Sequence, residues 1–365
     1  MPFQIIRNDI TKVKADAIVN TANPKPRIGR GTDSAIYAAA GKEQLIAARE
    51  KIGDIAPGQA VHTSAFALDA KYIIHTVGPV WVNGSHGERD TLRSCYENSL
   101  ALADSLGCES IAFPLIATGT YGFPKDEALH IALSEIQRFL LTHEMKVTIV
   151  VFDRKALELS ESLVGGIEQF IDDHTAHELH AKERDGNISG MSRRRRAGRD
   201  EEPSLYSNIS GLSEPFAREE TIEADEDLGL APAPIAVMPD LASKSLDEIL
   251  GDAGDSFQQR LLKLIDKSGM DDVTVYKKAN IDRKVFSRIR CKPDYKPKKK
   301  TALAFAIALE LDMPTMTDLL SRAEIALSPS NTFDLIITYF ITNKNYDIFE
   351  INAALFKYGQ PILGE

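Results

Sequence analysis

Cysteine is scarce in this chain, as are the other features typical of secreted and membrane proteins. Only Cys95, Cys108 and Cys291 occur among 365 residues, and their spacing matches neither a disulfide framework nor a metal site. There is no N-terminal signal segment and no apolar run long enough to cross a membrane. These absences exclude a scaffold held together by disulfides and predict a soluble protein of the reducing cytoplasm. They also predict that the protein does not bind a membrane.

The chain also lacks an excess of positive charge. Lys and Arg number 43 against 53 Asp and Glu, so the net charge is −10. This balance argues against general nucleic-acid binding by the whole chain, although it leaves local basic patches open. Hydrophobic residues make up 43% of the sequence, which is enough for buried cores, and the length indicates two domains, or two and a tail.

Residues 15–41 have the pattern of a strand, a glycine loop and a helix start. The apolar run 17–19 has the β-branched content of a buried strand, and the loop after it contains Gly29 and Gly31. The Thr-Asp pair at 32–33 offers N-cap chemistry for a short helix. Free N–H groups and the helix dipole at such a helix start favour negative charge, so the stretch predicts an anion site.

Strands and helices alternate through the first 152 residues. This alternation predicts an α/β fold with a mostly parallel sheet covered by helices on both faces. Ligands of such folds bind beyond the carboxyl ends of the strands, where a second glycine loop at 117–122 would join the first. The predicted strands are 3–6, 17–19, 59–63, 71–77, 110–115 and 146–152, and the predicted helices are 35–40, 43–51, 90–106 and 124–141.

Five segments in this order resemble the macrodomain family, whose members bind ADP-ribose. Besides the stretch at 15–41, they are Asn-Asp-Ile-Thr at 8–11, Lys-Tyr-Ile-Ile-His-Thr-Val-Gly-Pro at 71–79, Ile-Ala-Phe-Pro at 111–114 and Ala-Thr-Gly-Thr-Tyr-Gly-Phe-Pro at 117–124. The resemblance is densest in the hydrolytic, MacroD-like branch and covers roughly the first 170 residues. It implies a three-layer α/β/α fold for residues 1–172.

The resemblance also implies roles for individual residues. Asn23 and Asp33 would be catalytic: Asn23 would bond the distal ribose hydroxyls, and Asp33 would orient or deprotonate a water. Its place near a helix N-terminus is expected to favour the ionised form of Asp33. The ligand-binding residues would be Asp9 at the adenine amino group, Phe152 on the adenine face, Tyr121 beside the distal ribose, and Ile10, Asn20, Gly29, Gly31, Thr118, Gly119, Thr120 and Gly122.

The residues by themselves leave some of these roles open. Asp9 also fits a turn residue, and Phe152 also fits a core residue. His75, at a strand end, is expected to be a packed, hydrogen-bonded histidine. No cofactor is implied, and no metal, because zinc-dependent macrodomains need Cys and His ligands near the first glycine loop, which has none.

The first glycine loop departs from the MacroD pattern, which has a longer unbroken glycine run. Arg27 and Arg30 interrupt it here, so the preferred ester stays open. The resemblance implies hydrolysis of ADP-ribosyl esters, on Glu/Asp of proteins or in O-acetyl-ADP-ribose, and the presence of both Asn23 and Asp33 favours an enzyme. The alternative is a non-catalytic reader of ADP-ribose, or a regulator that couples ADP-ribose sensing to the C-terminal domain.

Residues 173–244 have the composition of a flexible charged linker. They contain Arg193–Arg196 and two copies of a short motif, Asn-Ile-Ser-Gly, at 187–190 and 208–211. The copies are either tethered recognition motifs or a chance similarity. His174, His177 and His180 recur every three residues, but charged neighbours favour a solvated helix end over a metal site.

Residues 245–365 have the helical pattern of a small all-α domain. The order of helices at 273–279, 283–289 and 300–311 is similar to a repressor-type helix-turn-helix. Between 283 and 300 there are nine Lys/Arg and one acid, while the domain as a whole has 17 of each sign. This concentration of positive charge predicts binding of an unidentified protein or, as the less favoured alternative, of DNA.

Overall fold

A six-stranded sheet forms the centre of the first half of the protein. This computed structural model describes residues 3–153, 157–174 and 254–364. The strand order is β1-β6-β5-β2-β4-β3, and every neighbouring pair is parallel except β3 with β4. The strands are β1 (Gln4–Arg7), β2 (Ala17–Thr21), β3 (Ala60–Ser64), β4 (Tyr72–Thr76), β5 (Ser110–Phe113) and β6 (Lys146–Val151).

Helices cover both faces of this sheet. They are α1 (Thr32–Ala40), α2 (Lys42–Ile52), α3 (Glu88–Ser105), α4 (Lys125–Thr142) and α5, which is described over residues 161–174. Alternate residues of a strand point to opposite faces, so neighbours in β2 enter different cores. Ile18 packs with Ile36 of α1 and Leu45 of α2, whereas Val19 packs with Leu92 of α3 and Ile136 of α4. The predicted α/β fold with a mostly parallel sheet is confirmed.

The last 111 described residues, 254–364, are helical, as predicted. Four of the seven helices begin at an aspartate whose carboxylate accepts an N–H of the first turn, and the first begins with a capping box between Ser256 and Gln259. They are α6 (Phe257–Ser268), α7 (Asp272–Lys278), α8 (Arg283–Cys291), α9 (Lys299–Ala308), α10 (Met313–Ser321), α11 (Thr332–Thr342) and α12 (Ile348–Lys357).

The C-terminal helices pack against the sheet at the amino ends of its strands. The side chain of Asn280, in the α7–α8 turn, bonds the backbone of Phe3 just before β1. Tyr276 of α7 donates to the carboxylate of Glu144, before β6, at 2.9 Å. The rings of Phe3 and Phe349 lie 4.8 Å apart. The described residues on both sides of the gap at 175–253 therefore belong to one compact unit.

Several predictions fall outside the described residues. They are the linker beyond 174, with its arginine run, its repeats, His177 and His180, and the start of the predicted all-α domain at 245. The boundaries at 172 and 245 stay predictions. In the part of the chain that the structure describes, no helix is both long and apolar enough to span a bilayer.

Candidate functional site

A cleft lies at the carboxyl ends of the parallel strands, and two cavities that share Gly31 and Thr32 form it. The first cavity, of about 270 Å³, is lined by both glycine loops. The second, of about 320 Å³, lies between the segment after β1 and the end of β6. Of the predicted site residues, Asn23, Gly29, Gly31, Asp33, Thr118, Gly119, Thr120 and Tyr121 line the first cavity, and Asp9, Ile10, Gly31 and Phe152 line the second.

The first glycine loop leads into α1, and the N-terminus of this helix, which has no side-chain cap, borders the cleft. The N-cap of α1 is Gly31, at φ 63°, and no side chain bonds the first N–H groups. The predicted N-cap at Thr32 and Asp33 is therefore wrong, because Asp33 lies inside the helix and turns its carboxylate back to Gly29. A helix start without a side-chain cap keeps its N–H groups available to an anion.

The carboxylate of Asp33 is held from two sides and is 2% exposed. It accepts the N–H of Gly29 on one oxygen and the Asn20 amide on the other, the latter at 2.7 Å. A side chain at Gly29 would place its Cβ 3.1 Å from this carboxylate, a tight contact that would push the carboxylate by a few tenths of an ångström. Burial raises the pKa of Asp33, although Gly29, Asn20 and the charge of Arg49 oppose the rise. The expected shift toward the ionised form is wrong in direction, because burial outweighs these bonds.

Asn20 lies behind Asp33 and lines neither cavity. It is fully buried, and its amide nitrogen also lies 3.2 Å from Nδ1 of His75. The structure thus gives Asn20 a contact with Asp33 where the sequence predicted one with the ligand. His75 is packed and hydrogen-bonded, as expected, with Nε2 at 2.9 Å from Oγ1 of Thr63. Burial lowers the pKa of His75 to about 3, and Arg49 and His62 add to the effect, so the imidazole is neutral.

Asn23 lies in the first cavity, but part of its amide is already bonded. Its Oδ1 accepts Nε–H of Arg27 at 3.1 Å, so the interruption of the glycine run by Arg27 has a structural consequence. Beneath the loop, Arg49 is 1% exposed and donates to the carbonyls of Gly53 and Asn23, at 3.0 and 3.4 Å. Sequence analysis missed Arg49. The only signal was its position four residues after Leu45, on the apolar face of α2.

The second glycine loop is fixed by its own backbone and by a neighbouring turn. Thr118 Oγ1 donates to the carbonyl of Leu115 at 3.0 Å, and the N–H of Gly122 donates to Gly119 at 3.0 Å. Gly122 lines neither cavity, and its N–H is already bonded to the Gly119 carbonyl. The N–H of Trp81 donates to the carbonyl of Tyr121 at 2.9 Å, which ties the loop to the segment after β4.

That segment is built around Glu88, which sequence analysis also missed. Its carboxylate is buried and accepts backbone N–H groups from Val82, Asn83, Gly84 and His86 at 2.6–3.3 Å. Burial acts to raise the pKa of Glu88, but these N–H donors outweigh it and lower the pKa to about 2. An ionised carboxylate inside a turn of five residues keeps that turn rigid beside the cleft.

The second cavity contains the two residues predicted to bind adenine. Asp9 accepts the N–H and the hydroxyl of Thr11 at 3.0 and 2.8 Å, and these bonds lower its pKa, so it is ionised and accepts only. Phe152 is 80% exposed, which excludes the core residue that its sequence also allowed. An exposed aromatic ring beside a fixed carboxylate is suited to a flat heterocycle that carries an amino group.

No group of three or more His, Cys, Asp or Glu residues is arranged to hold a metal ion within residues 3–153, 157–174 and 254–364.

A family model described as Macro domain matches residues 19–132. An O-acetyl-ADP-ribose deacetylase of Citrobacter rodentium is 44% identical over 167 residues, which are 44% of this chain and 94% of that protein. A macro domain-containing protein of Chlorobaculum tepidum is 47% identical over 147 residues, 40% of this chain and 84% of its own. A solved Oceanobacillus iheyensis macrodomain with ADP is 38% identical, with a TM-score of 0.40, and covers 42% of this chain and 84% of its own.

Proposed function

This chain belongs to the macrodomain family, and from that premise we propose that its cleft binds ADP-ribose and hydrolyses ADP-ribosyl esters. The observation that carries the proposal is the position of Asp33, which lines the first cavity at an uncapped helix start, as Asn23 does. The same cavity is bordered by both glycine loops, whose N–H groups suit a pyrophosphate.

Each of the two cavities accommodates one end of the ligand. The adenosine end occupies the second cavity, with the ring on Phe152 and its amino group on Asp9. The pyrophosphate lies where the cavities meet, at Gly31 and Thr32. The distal ribose then reaches Asn23 and its ester reaches Asp33.

Asp33 is the general base in this mechanism. It takes a proton from a water molecule whose oxygen attacks the carbon of the ester, and the ribose oxygen leaves and takes up a proton. A carboxylate whose pKa is raised is a stronger base than an ordinary one, provided that it is still ionised at the working pH. The same burial that raises the pKa of Asp33 therefore favours this role.

O-acetyl-ADP-ribose is the first substrate to test. This chain matches nearly the whole length of two relatives that are named O-acetyl-ADP-ribose deacetylase. Mono-ADP-ribosylated Glu and Asp side chains present the same kind of ester. The experiment compares release from O-acetyl-ADP-ribose with release from proteins modified on Glu/Asp, on Arg and on Ser. Asp33→Ala should lower turnover of the esters by roughly 10²–10⁴-fold while ADP-ribose still binds, because the pyrophosphate contacts are backbone ones.

A reader that binds ADP-ribose without hydrolysis is the second candidate. The bond from Arg27 to Oδ1 of Asn23 favours it, since it takes up one of the two lone pairs that this oxygen would offer to ribose hydroxyls. Equal turnover by the wild type and Asp33→Ala would leave only this function. Arg27→Gln further distinguishes the hydrolase from the reader. If the bond to Asn23 restrains an enzyme, the substitution raises the rate of ester hydrolysis, whereas a reader shows no hydrolysis before or after it.

For the C-terminal helices we propose protein binding, with DNA as the less favoured alternative. The exposed face of α8 carries Lys284, Ser287, Arg288 and Cys291 at helical spacing. Other cations of the same segment are already paired, namely Arg290 with Asp272, Lys296 with Glu324 and Lys299 with Asp334. Lys284 and Arg288 lie on that exposed face and are therefore among the side chains that an acidic partner would meet.

A further inference from the structure

A line of buried polar side chains crosses the sheet beneath the proposed catalytic carboxylate. Thr63, His75 and Asn20 lie on the adjacent strands β3, β4 and β2, and Asp33 lies on α1 above them. All four are buried, with exposures from 0 to 6%. The register explains the line, because Asn20 is paired with His75 across β2 and β4 and their side chains share one face.

The observed orientation of the Asn20 amide sets the direction of each hydrogen bond along the line. The Asn20 amide nitrogen contacts both Oδ1 of Asp33 and Nδ1 of His75, and an amide nitrogen only donates. Nδ1 is therefore the unprotonated, accepting nitrogen of a neutral imidazole. The proton of His75 is then on Nε2 and points to Oγ1 of Thr63 at 2.9 Å, which accepts it.

The orientation of the Asn20 amide decides which form of Asp33 is stabilised. In the observed orientation the amide presents N–H to Asp33, and this favours the carboxylate. A reversed amide would present its oxygen, which only a protonated Asp33 could bond. Reversal also requires the other tautomer of His75, with the proton on Nδ1 and with Nε2 accepting from the Thr63 hydroxyl. Without that hydroxyl, the observed tautomer has a buried N–H with no acceptor, whereas the other tautomer has only an unpaired acceptor, so Thr63 favours the observed orientation.

We propose that Thr63 and His75 are positioning residues that act through the Asn20 amide to hold Asp33 as the proton-accepting carboxylate. The inference rests on the proposed hydrolase function. The arrangement follows the logic by which a partner bonded to one nitrogen of a histidine fixes what its other nitrogen does.

Other titratable groups face this line. Arg49 of α2 acts on both His75 and Asp33, Tyr37 of α1 lies near Asp33, and His62 of β3 acts on His75. None of them bonds the Asn20 amide among the described residues, so none substitutes for His75 in setting its orientation.

The test replaces the hydroxyl without changing the shape of the side chain. Thr63→Val removes the acceptor of Nε2–H, and Thr63→Ser restores it. Thr148→Val is the matched control, since Thr148 is a buried threonine of β6 that accepts one side-chain hydrogen bond, from Gln4 at 2.9 Å. All variants are made in the full chain, and ADP-ribose affinity and thermal unfolding confirm that each is folded.

For Thr63→Val, the acid limb of kcat/KM against pH should move up by about one pH unit, so that activity at low pH falls about tenfold. Activity should converge with the wild type at high pH, KM should not change, and Thr63→Ser should restore the original limb. His75→Gln, which has no tautomer to fix, should move the limb in the same direction. A Thr63→Val profile that matches Thr148→Val would overturn the inference.

A measurement without turnover separates this inference from the proposed function. Carbon-13 titration of the Asp33 carboxyl, with nitrogen-15 shifts of His75, reads the same two groups directly. If no ester is hydrolysed, the hydrolase function fails, and the titration still decides the inference. A higher Asp33 midpoint in Thr63→Val supports the positioning role, and an unchanged midpoint with unchanged His75 shifts refutes it.

Discussion

Asn280 bonds both backbone polar groups of Phe3, a residue 277 positions earlier in the chain. Its Oδ1 accepts the N–H of Phe3 at 2.6 Å, and its Nδ2 donates to the carbonyl at 2.9 Å. β1 is an edge strand, so these bonds replace the partner strand that Phe3 does not have. Asn280 has φ 54°, a conformation that asparagine tolerates better than most residues.

Asn280→Gly should destabilise the protein by about 2–4 kcal/mol, because it leaves two buried backbone groups of Phe3 without partners. Glycine accepts the positive φ, so backbone strain does not contribute to the loss. Lys344→Gly is the control, since Lys344 has φ 53° and an exposed side chain. Urea unfolding of the two variants measures the difference, and equal stabilities would show that the Asn280 bonds contribute nothing.

Residues 1–172 alone should still bind ADP-ribose, because every predicted site residue lies within them. The fragment should unfold at least about 5 °C below the full chain, since the removed helices cover Phe3 and the edge of β1. Calorimetry gives the affinity and differential scanning fluorimetry the unfolding temperature. Absence of binding heat in a folded fragment would contradict the assigned site, and an unchanged unfolding temperature would contradict the importance of the contact.

His75 should make the protein sensitive to acid. Its folded pKa of about 3 lies below the unfolded value of about 6.5, so the unfolded state takes up the proton first. The stability that the neutral imidazole contributes is present above pH 6.5 and is lost as pH falls toward 3, at up to about 1.4 kcal/mol per pH unit. The free-energy difference between the wild type and His75→Gln should therefore shrink between pH 7 and 4.5.

Urea unfolding across this pH range checks the prediction. His130→Gln removes an exposed imidazole from α4, which no contact within the described residues joins to His75, and serves as the control. A difference from the wild type that stays constant with pH in His75→Gln would mean that folding does not lower the pKa of His75.

If the α8 face binds protein, the full chain should not shift duplex DNA at tens of micromolar protein and low salt. Even non-specific DNA binders associate at that concentration. A shift that weakens in Lys284→Glu/Arg288→Glu, and whose log affinity falls with log salt by about 0.9 per phosphate, would identify DNA as the partner instead. Lys42→Glu/Lys51→Glu on α2 makes the same change in net charge and is the control.

The sequence predicted what is local and missed what depends on register. β2, both glycine loops and most helices follow from short runs of residues, and the structure has them within a few positions. The line from Thr63 to Asp33 joins four elements, and only the alignment of β2, β4 and β3 brings those side chains together. The sequence predicted the strand at β3 but not that it runs antiparallel to β4, because the residue pattern of a five-residue strand does not encode its direction.

Asp33 shows the same limit at a single residue. Thr-Asp before a helix is ordinary N-cap chemistry, but the carboxylate here bonds Gly29 and Asn20 and is buried. Its protonation depends on that burial, which residues distant in sequence create. Arg49 was missed for a related reason, since one arginine on an apolar helix face does not reveal which carbonyls it will meet.

The direction of the strands places the cleft and the helical segment at opposite ends of the sheet. Five strands run the same way, so all of their carboxyl ends form one rim and all of their amino ends form the other. The cleft uses the first rim, and Asn280, Tyr276 and Lys277 contact the second. A substitution where the helical segment meets the sheet therefore need not change any residue that lines the cleft.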